Sequence, residues 1–229
     1  MAAESEVSFF FDSDALLQIL LTGQKLVFRV LFSDFGVSSF IMSEVEVEVR
    51  SNRKLGALVR IPLDEALKSG FLKVLSSSDL ERLTSGASTP VSLGDIRQVG
   101  KDYALYVGSG EAYTHAAGML LDCPTVSNDA NAIRALESNG KQLPPKILRS
   151  YDLFAFLYAE GYMDIRTAER ILKVLKTQNE WIPRCLLHKS FEDGIKEINC
   201  RLSTSLATSS PSGGWSTNFY LKRAPKTTN

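Results

Sequence analysis

Short apolar runs alternate along the chain with longer stretches of helical periodicity, and several of the runs end on acids. Residues 7–11 (VSFFF) are apolar and aromatic without the alternation of a half-wet strand, so they predict a strand buried on both faces, as in a parallel sheet. Asp12, Ser13 and Asp14 follow at once. Asp12 or Ser13 can cap a helix that Leu16, Leu17, Ile19 and Leu20 continue. Residues 27–32 read as a strand or a helix end, and residues 40–42 as a second short buried strand. Ser43 then opens EVEVEVR, where Glu44, Glu46 and Glu48 alternate with Val45, Val47 and Val49. That alternation has the period of a strand. A helix is the other reading, since a strand and a Ser cap precede it and tertiary context can override β propensity.

Further on, 64–68 is expected to be a short helix, 71–75 a strand, 79–83 a helix, 85–90 a loop and 93–107 a helix. The glycines of Gly108-Ser109-Gly110 punctuate the chain before a helix over 111–121, with Ala112, Ala116, Met119 and Leu120 at helical spacing. A strand over 123–126 ends at Ser127, Asn128 and Asp129, and a helix over 131–136 runs to a stop at Gly140. Three more helices are expected over 151–160, 165–177 and 183–198, the second with a clear apolar face of Ile165, Ala168, Ile171, Leu172 and Leu175. After Arg201 the composition shifts to Ser, Thr, Gly and Pro. The chain therefore divides into one domain over 1–200 and an expected flexible tail over 201–229. Strands alternating with helices imply an α/β fold, a three-layer sandwich with a mostly parallel sheet flanked by helices.

Hydrophobic residues at 44% and charged residues at 23% are those of an ordinary globular chain. With 26 basic and 26 acidic residues the net charge is +0, so any nucleic-acid binding must come from a local basic face or from bound metal. Cys123, Cys185 and Cys200 are odd in number and form no CxxC pair, which disfavours a zinc site or a disulfide framework. The first residues carry Glu4 and Glu6 and no basic leader, and no apolar run reaches bilayer length. A cytoplasmic protein with no membrane partner is the expectation.

The acids are the candidate chemistry: Asp12 with Asp14, the glutamates of 44–48, Glu111, and Asp129. Acids at the carboxyl ends of parallel strands and at nearby helix starts can converge on one crevice. Held that close, unpaired carboxylates repel and their pKa values rise. A hard divalent cation removes the conflict, because Mg²⁺ and Mn²⁺ take oxygen ligands from carboxylates, water and phosphate. Taken singly, an acid after a strand is more often a helix cap.

These segments resemble the PIN-domain nuclease family, in its prokaryotic form. FFFDSDALLQIL is similar to the family's opening strand and first acid, SEVEVEV to its second acidic position on a helix, GSGEAYTHAAGML to its third, and CPTVSNDANAI to its fourth. The stretch 150–183 is similar to the closing helices of the group, and the resemblance spans roughly residues 7–187. It implies a helix for 43–50 and catalytic metal ligands at Asp12, Glu48, Glu111 and Asp129, with Asp14 and Glu44 as further candidates and Mg²⁺ or Mn²⁺ as the cofactor. It implies hydrolysis of phosphodiester bonds, chiefly in RNA, with an antitoxin protein and a second copy of the chain as possible partners. Glu111 departs from the commoner Asp, Asp14 stands where the family has a small polar residue, and 52–100 is longer than in small members.

Ser127, Asn128 and His115 are candidates for supporting the ligands, His115 lying one turn after Glu111. His188 reads as a surface residue. Lys141, Lys146 and Arg149 around Pro144-Pro145 can contact phosphates or form a solvated face. Arg166, Arg170, Lys173 and Lys176 read as the wet side of an amphipathic helix. Trp215, Phe219 and Tyr220 in the tail can dock on a partner, or form a strand folded back on the body. Two other functions fit parts of the pattern. FFFDSDALL is similar to the Asp-x-Asp box of haloacid-dehalogenase-type phosphatases, with Asp12 as nucleophile, Asp14 as acid/base, and Ser43 and Lys101 as weak candidates for the remaining positions. A non-catalytic PIN-like module that binds nucleic acid or a partner is the third reading.

Overall fold

The computed structural model describes residues 7–23, 25–85, 90–178, 180, 182–195, 202–203 and 219–220. Its centre is a sheet of five strands in the order β3-β2-β1-β4-β5, all parallel. The strands are β1 Ser8–Phe11, β2 Ser38–Ile41, β3 Leu72–Val74, β4 Thr125–Val126 and β5 Ile147–Leu148. Helices join them and cover both faces, so the fold is α/β of the three-layer type. β1 is the middle strand, which explains its unbroken apolar run: all four residues are buried. Phe10 stacks on Phe40 of β2 with ring centroids 5.6 Å apart.

Asp12 leaves β1 as the cap of α1 (Ser13–Leu21), and its backbone N–H still donates to Val126 O at 3.0 Å. The carboxyl end of β1 is thus tied to the end of β4. α2 (Leu26–Phe35) occupies residues that also read as a strand. Its Val27, Phe28, Val30, Leu31 and Phe35 are buried at helical spacing, which prevails over the β-branched and aromatic composition. Gly36 ends it at φ 65°, a conformation glycine adopts without strain. α3 (Ser43–Ser51) resolves the Glu/Val alternation as a helix, because Val45 and Val49, four apart, enter the core while Val47 is 66% exposed.

α4 (Gly56–Lys68) is longer than the helix expected over 64–68 and carries Pro62 in its interior. α5 (Ser77–Leu83) and α6 (Leu93–Tyr103) each begin in a Ser/Asp capping box. α6 stops four residues short of the expected end at 107. α7 (Ser109–Leu120) packs onto the sheet through Gly118, where an added Cβ would lie 2.4 Å from Thr125 Cγ2. α8 (Ala130–Ser138), α9 (Ser150–Ala159) and α10 (Ile165–Thr177) follow. The helix expected over 183–198 is two short ones, α11 (Arg184–Leu187) and α12 (Phe191–Ile195). Most of the tail lies outside the described residues, as do Cys200 and Trp215. Within it, β7 (Phe219–Tyr220) pairs in parallel with β6 (Leu202–Ser203), so this part of the tail is a strand. No single helix among the described residues is long and apolar enough to cross a membrane.

Candidate metal centre

At the carboxyl edge of the sheet, the ends of β1 and β4 meet the first turns of α1, α7 and α8 and the middle of α3. Asp12 is fully buried. Its Oδ1 accepts the Ala15 N–H at 2.8 Å, which caps α1, and its Oδ2 has no hydrogen-bond partner. Burial raises its pKa well above the ordinary carboxylate value. The Ser127 side chain and the Ala15 N–H oppose that shift, and the charges of Asp14 and Glu111 add to it.

Glu111 stands in the first turn of α7 and is only 7% exposed. Its carboxylate folds back over Gly108, where an added Cβ would lie 2.4 Å from Oε2. Burial pushes its pKa up to about 7; its own N–H opposes the shift, and Asp14, Glu48 and Asp129 reinforce it. Asp14 opens to solvent at the rim and is raised by partial desolvation first, then by Glu48, Asp129 and Glu180. Asp14 and Glu111 act on Asp12, and Asp14, Glu48 and Asp129 act on Glu111, so acids from four separate stretches of chain affect one another's titration.

The three glutamates of α3 part company. Glu46 accepts from Arg50 Nε at 2.9 Å, and Arg50 also pairs with Asp64 at 2.7 Å, which turns Glu46 away from the crevice. Glu44 accepts from the Ser43 hydroxyl at 2.9 Å. Glu48 accepts the Gly110 N–H at 3.1 Å, bridging α3 to α7. Gly110 is required for this approach: an added Cβ would lie 2.5 Å from Glu48 Oε2 and 3.0 Å from Ser13 Oγ. Glu44 and Glu48, with Val47 and Ser109, also line an open cavity of about 510 Å³.

Asp129 caps α8, its Oδ1 accepting from Asn131 N at 2.7 Å and Ala132 N at 3.1 Å, while its own N–H donates to Ser127 Oγ at 3.3 Å. Asn128 Oδ1 accepts from Ser150 N at 3.0 Å and from Ser150 Oγ at 3.2 Å. Ser150 Oγ also lies 2.7 Å from Gln18 Oε1. Gln18 and Ser150, both buried, thereby lock α1, β4 and α9 together beneath the acids. His115 is fully buried, its Nδ1 3.3 Å from Thr125 Oγ1, and burial lowers its pKa to about 4, so it is neutral. With no exposed surface it does not face a bound phosphate.

The basic residues around Pro144-Pro145 are not a solvated face. Lys141 pairs with Asp102 at 2.7 Å, Lys146 is buried, and Arg149 pairs with Asp152 at 3.0 Å. His188 is exposed, as expected of a surface residue. Ser43 and Lys101 are also exposed, Lys101 on α6. Sequence reasoning did not single out Gln18, Ser150, Glu180 or Arg134. Gln18 carried a faint signal, lying one turn after Asp14 on the same face; the others carried none.

No family model, curated protein or solved structure matches the chain. The donor set is all hard oxygen, the kind that suits Mg²⁺ or Mn²⁺. The unpartnered Asp12 Oδ2 is a buried acceptor of the sort a cation would satisfy. Among the described residues no three acidic, His or Cys side chains stand close enough to enclose a cation as placed. Asp12, Glu48 and Asp129 are each held to a backbone N–H.

Proposed function

We propose that the protein is a Mg²⁺- or Mn²⁺-dependent nuclease that hydrolyses phosphodiester bonds with Asp12, Glu48, Glu111 and Asp129 as its metal-holding set. The observation that carries this reading is Asp12: a carboxylate buried at the end of the central strand, one oxygen unpartnered, surrounded by acids from elsewhere in the chain. A buried carboxyl in such surroundings is neutralised either by a proton, as its raised pKa allows, or by a bound cation. RNA as the substrate, and so an endoribonuclease, follows from the resemblance to PIN domains.

A divalent cation bound there supplies an acidified water and charge neutralisation on the phosphate. The chain's own part is positioning. Asp12 directly follows β1, Asp129 caps α8 beyond the adjacent β4, Gly110 N–H orients Glu48, and Ser127 borders both Asp12 and Asp129. In the metal-free protein burial and neighbouring acids push Glu111 up to about 7, and a cation held there would displace its proton. The phosphatase reading gains nothing from the geometry, since Ser43 is bound to Glu44 and Lys101 is an exposed residue of α6.

The test uses single-stranded RNA and Mn²⁺. Wild type is expected to bind Mn²⁺ by calorimetry and to cleave only in its presence. Asp12→Asn and Asp129→Asn are each expected to lose at least about 100-fold in cleavage while staying folded. Asn caps a helix as well as Asp does, so the fold is spared. Full cleavage by both variants would reject the proposal.

A further inference from the structure

Beside the metal-holding set lies a second cavity of about 280 Å³, lined by Asp14 and Gln18 of α1, Asn128 and Asp129 after β4, Ala130, Asn131 and Arg134 of α8, and Glu180 beyond α10. Its charged lining is three carboxylates and one guanidinium. The expected fate of that guanidinium is an ion pair with a neighbouring acid. None is made among the described residues: Arg134 Nη2 donates to the neutral Asn131 Oδ1 at 2.6 Å.

Two of the three lining acids are engaged elsewhere, and the third, Asp14, makes no ion pair with Arg134 among the described residues. Asp129 turns its Oδ1 to the N–H groups of Asn131 and Ala132. Glu180 pairs with Lys54 Nζ at 3.0 Å, across from the far end of α3. An exposed guanidinium with a planar fork of donors, left without a carboxylate at the mouth of an acidic cavity, suits an anion with paired oxygens.

We propose that this cavity is a subsite for a nucleic-acid phosphate adjacent to the one that is cut, with Arg134 as its anion-binding group. The inference rests on the metal-dependent nuclease reading. Three carboxylates against one guanidinium repel an anion, so a phosphate enters only when a divalent cation has offset the acids. Arg134 contributes to substrate binding and not to holding the metal, and its effect is coupled to the cation.

The experiment compares full-length wild type, Arg134→Gln, Arg134→Lys and, as a charge control on the exposed face of α10, Arg170→Gln. Mn²⁺ affinity is measured by calorimetry, thermal stability by melting, and cleavage of a short single-stranded oligoribonucleotide by initial rates at several salt concentrations. For Arg134→Gln the expected result is a rise in KM of about tenfold, the scale of a lost charge-assisted contact, with kcat within about twofold. Mn²⁺ affinity and melting temperature stay unchanged. The slope of log KM against log salt falls by about 0.7, the single-strand value for one phosphate contact. Arg134→Lys recovers part of the KM, and Arg170→Gln leaves both quantities near wild type.

An Arg134→Gln enzyme with wild-type KM and salt slope, in a protein that binds Mn²⁺ and cleaves RNA, overturns the subsite and leaves the nuclease reading intact. Weakened Mn²⁺ binding in that variant also overturns it, since Arg134 would then be supporting the ligands. Wild type that neither binds Mn²⁺ nor cleaves removes the nuclease reading and the subsite with it.

Discussion

Asp12 and Asp152 are both carboxylates with no exposed surface, and their surroundings are opposite. Asp152 is the third residue of α9. It accepts from the Arg149 backbone N–H at 2.8 Å, from Arg149 Nε at 3.0 Å and from Arg149 Nη2 at 3.0 Å. A guanidinium fork and a backbone donor answer both of its oxygens. Asp12 has one capping N–H on Oδ1, only the nearby Ser127 side chain as a further donor, no hydrogen bond made to Oδ2, and more acids as its charged neighbours. The first arrangement closes a helix start and leaves the chemistry of the group spent. The second leaves a buried acceptor open, at a cost in stability that a proton or a bound cation reduces. A buried acid therefore says little by itself; what surrounds its second oxygen separates a structural carboxylate from one available for function.

Three changes test that contrast. The largest effect is expected from Arg149→Ala, which strands the Asp152 charge inside the protein. Denaturant unfolding should show a loss of about 3–5 kcal/mol, with the Mn²⁺ affinity of the remaining folded protein unchanged. A loss below about 1 kcal/mol would show that Asp152 does not depend on its partner. Next comes Gly110→Ala, which pushes a methyl group against Glu48 Oε2. Calorimetry should show Mn²⁺ affinity weakened by about tenfold or more, with a smaller change in melting temperature than Arg149→Ala. Unchanged affinity would remove Glu48 from the metal-holding set.

The smallest effect is a slope. The folded-state pKa of Glu111 is about 7 against an ordinary value near 4.5, so between those values the folded protein keeps a proton that the unfolded chain has released. The unfolded state binds fewer protons there, and the stability of the metal-free protein falls as pH rises from about 4.5 to 7. Asp12, also raised, acts in the same direction. In EDTA, wild type should melt at a lower temperature at pH 7 than at pH 5, and Glu111→Gln should flatten that difference. An equal slope in the variant would place the titration elsewhere.

The parts of the molecule set by neighbouring residues were legible in the sequence. β1 and the caps at Asp12 and Asp129 depend on contacts a few residues apart, and the patterns that predict them are short. α2 was ambiguous because Val27, Phe28, Val30 and Leu31 fit a buried helix and a buried strand alike, and only their packing decides. α4 was cut short because Pro62 ordinarily stops a helix, whereas here the helix continues through it. β5 was missed, since two residues beside Pro144-Pro145 carry no periodicity.

The site shows the same division. Asp12, Glu111 and Asp129 announced themselves by their place at strand ends and helix starts. Which glutamate of α3 turns inward was not readable, because Glu44 and Glu48 both flank the buried Val45–Val49 ridge. The choice falls to Gly110, distant in sequence, whose N–H reaches Glu48. Gln18 with Ser150, and Glu180 with Lys54, are pairings across more than a hundred residues, and no local pattern encodes them. The resemblance to PIN domains carries the expectation that Asp12, Glu48, Glu111 and Asp129 act as ligands. The structure adds the open oxygen of Asp12 and an Arg134 without an acidic partner.

β1 is synthesised first yet lies in the middle of the sheet, and Phe10 has to wait for Thr125 to come beside it. A polypeptide emerging from the ribosome thus carries Asp12 long before it carries Asp129. The middle of the sheet is therefore closed only after the segment that carries Thr125 has been made.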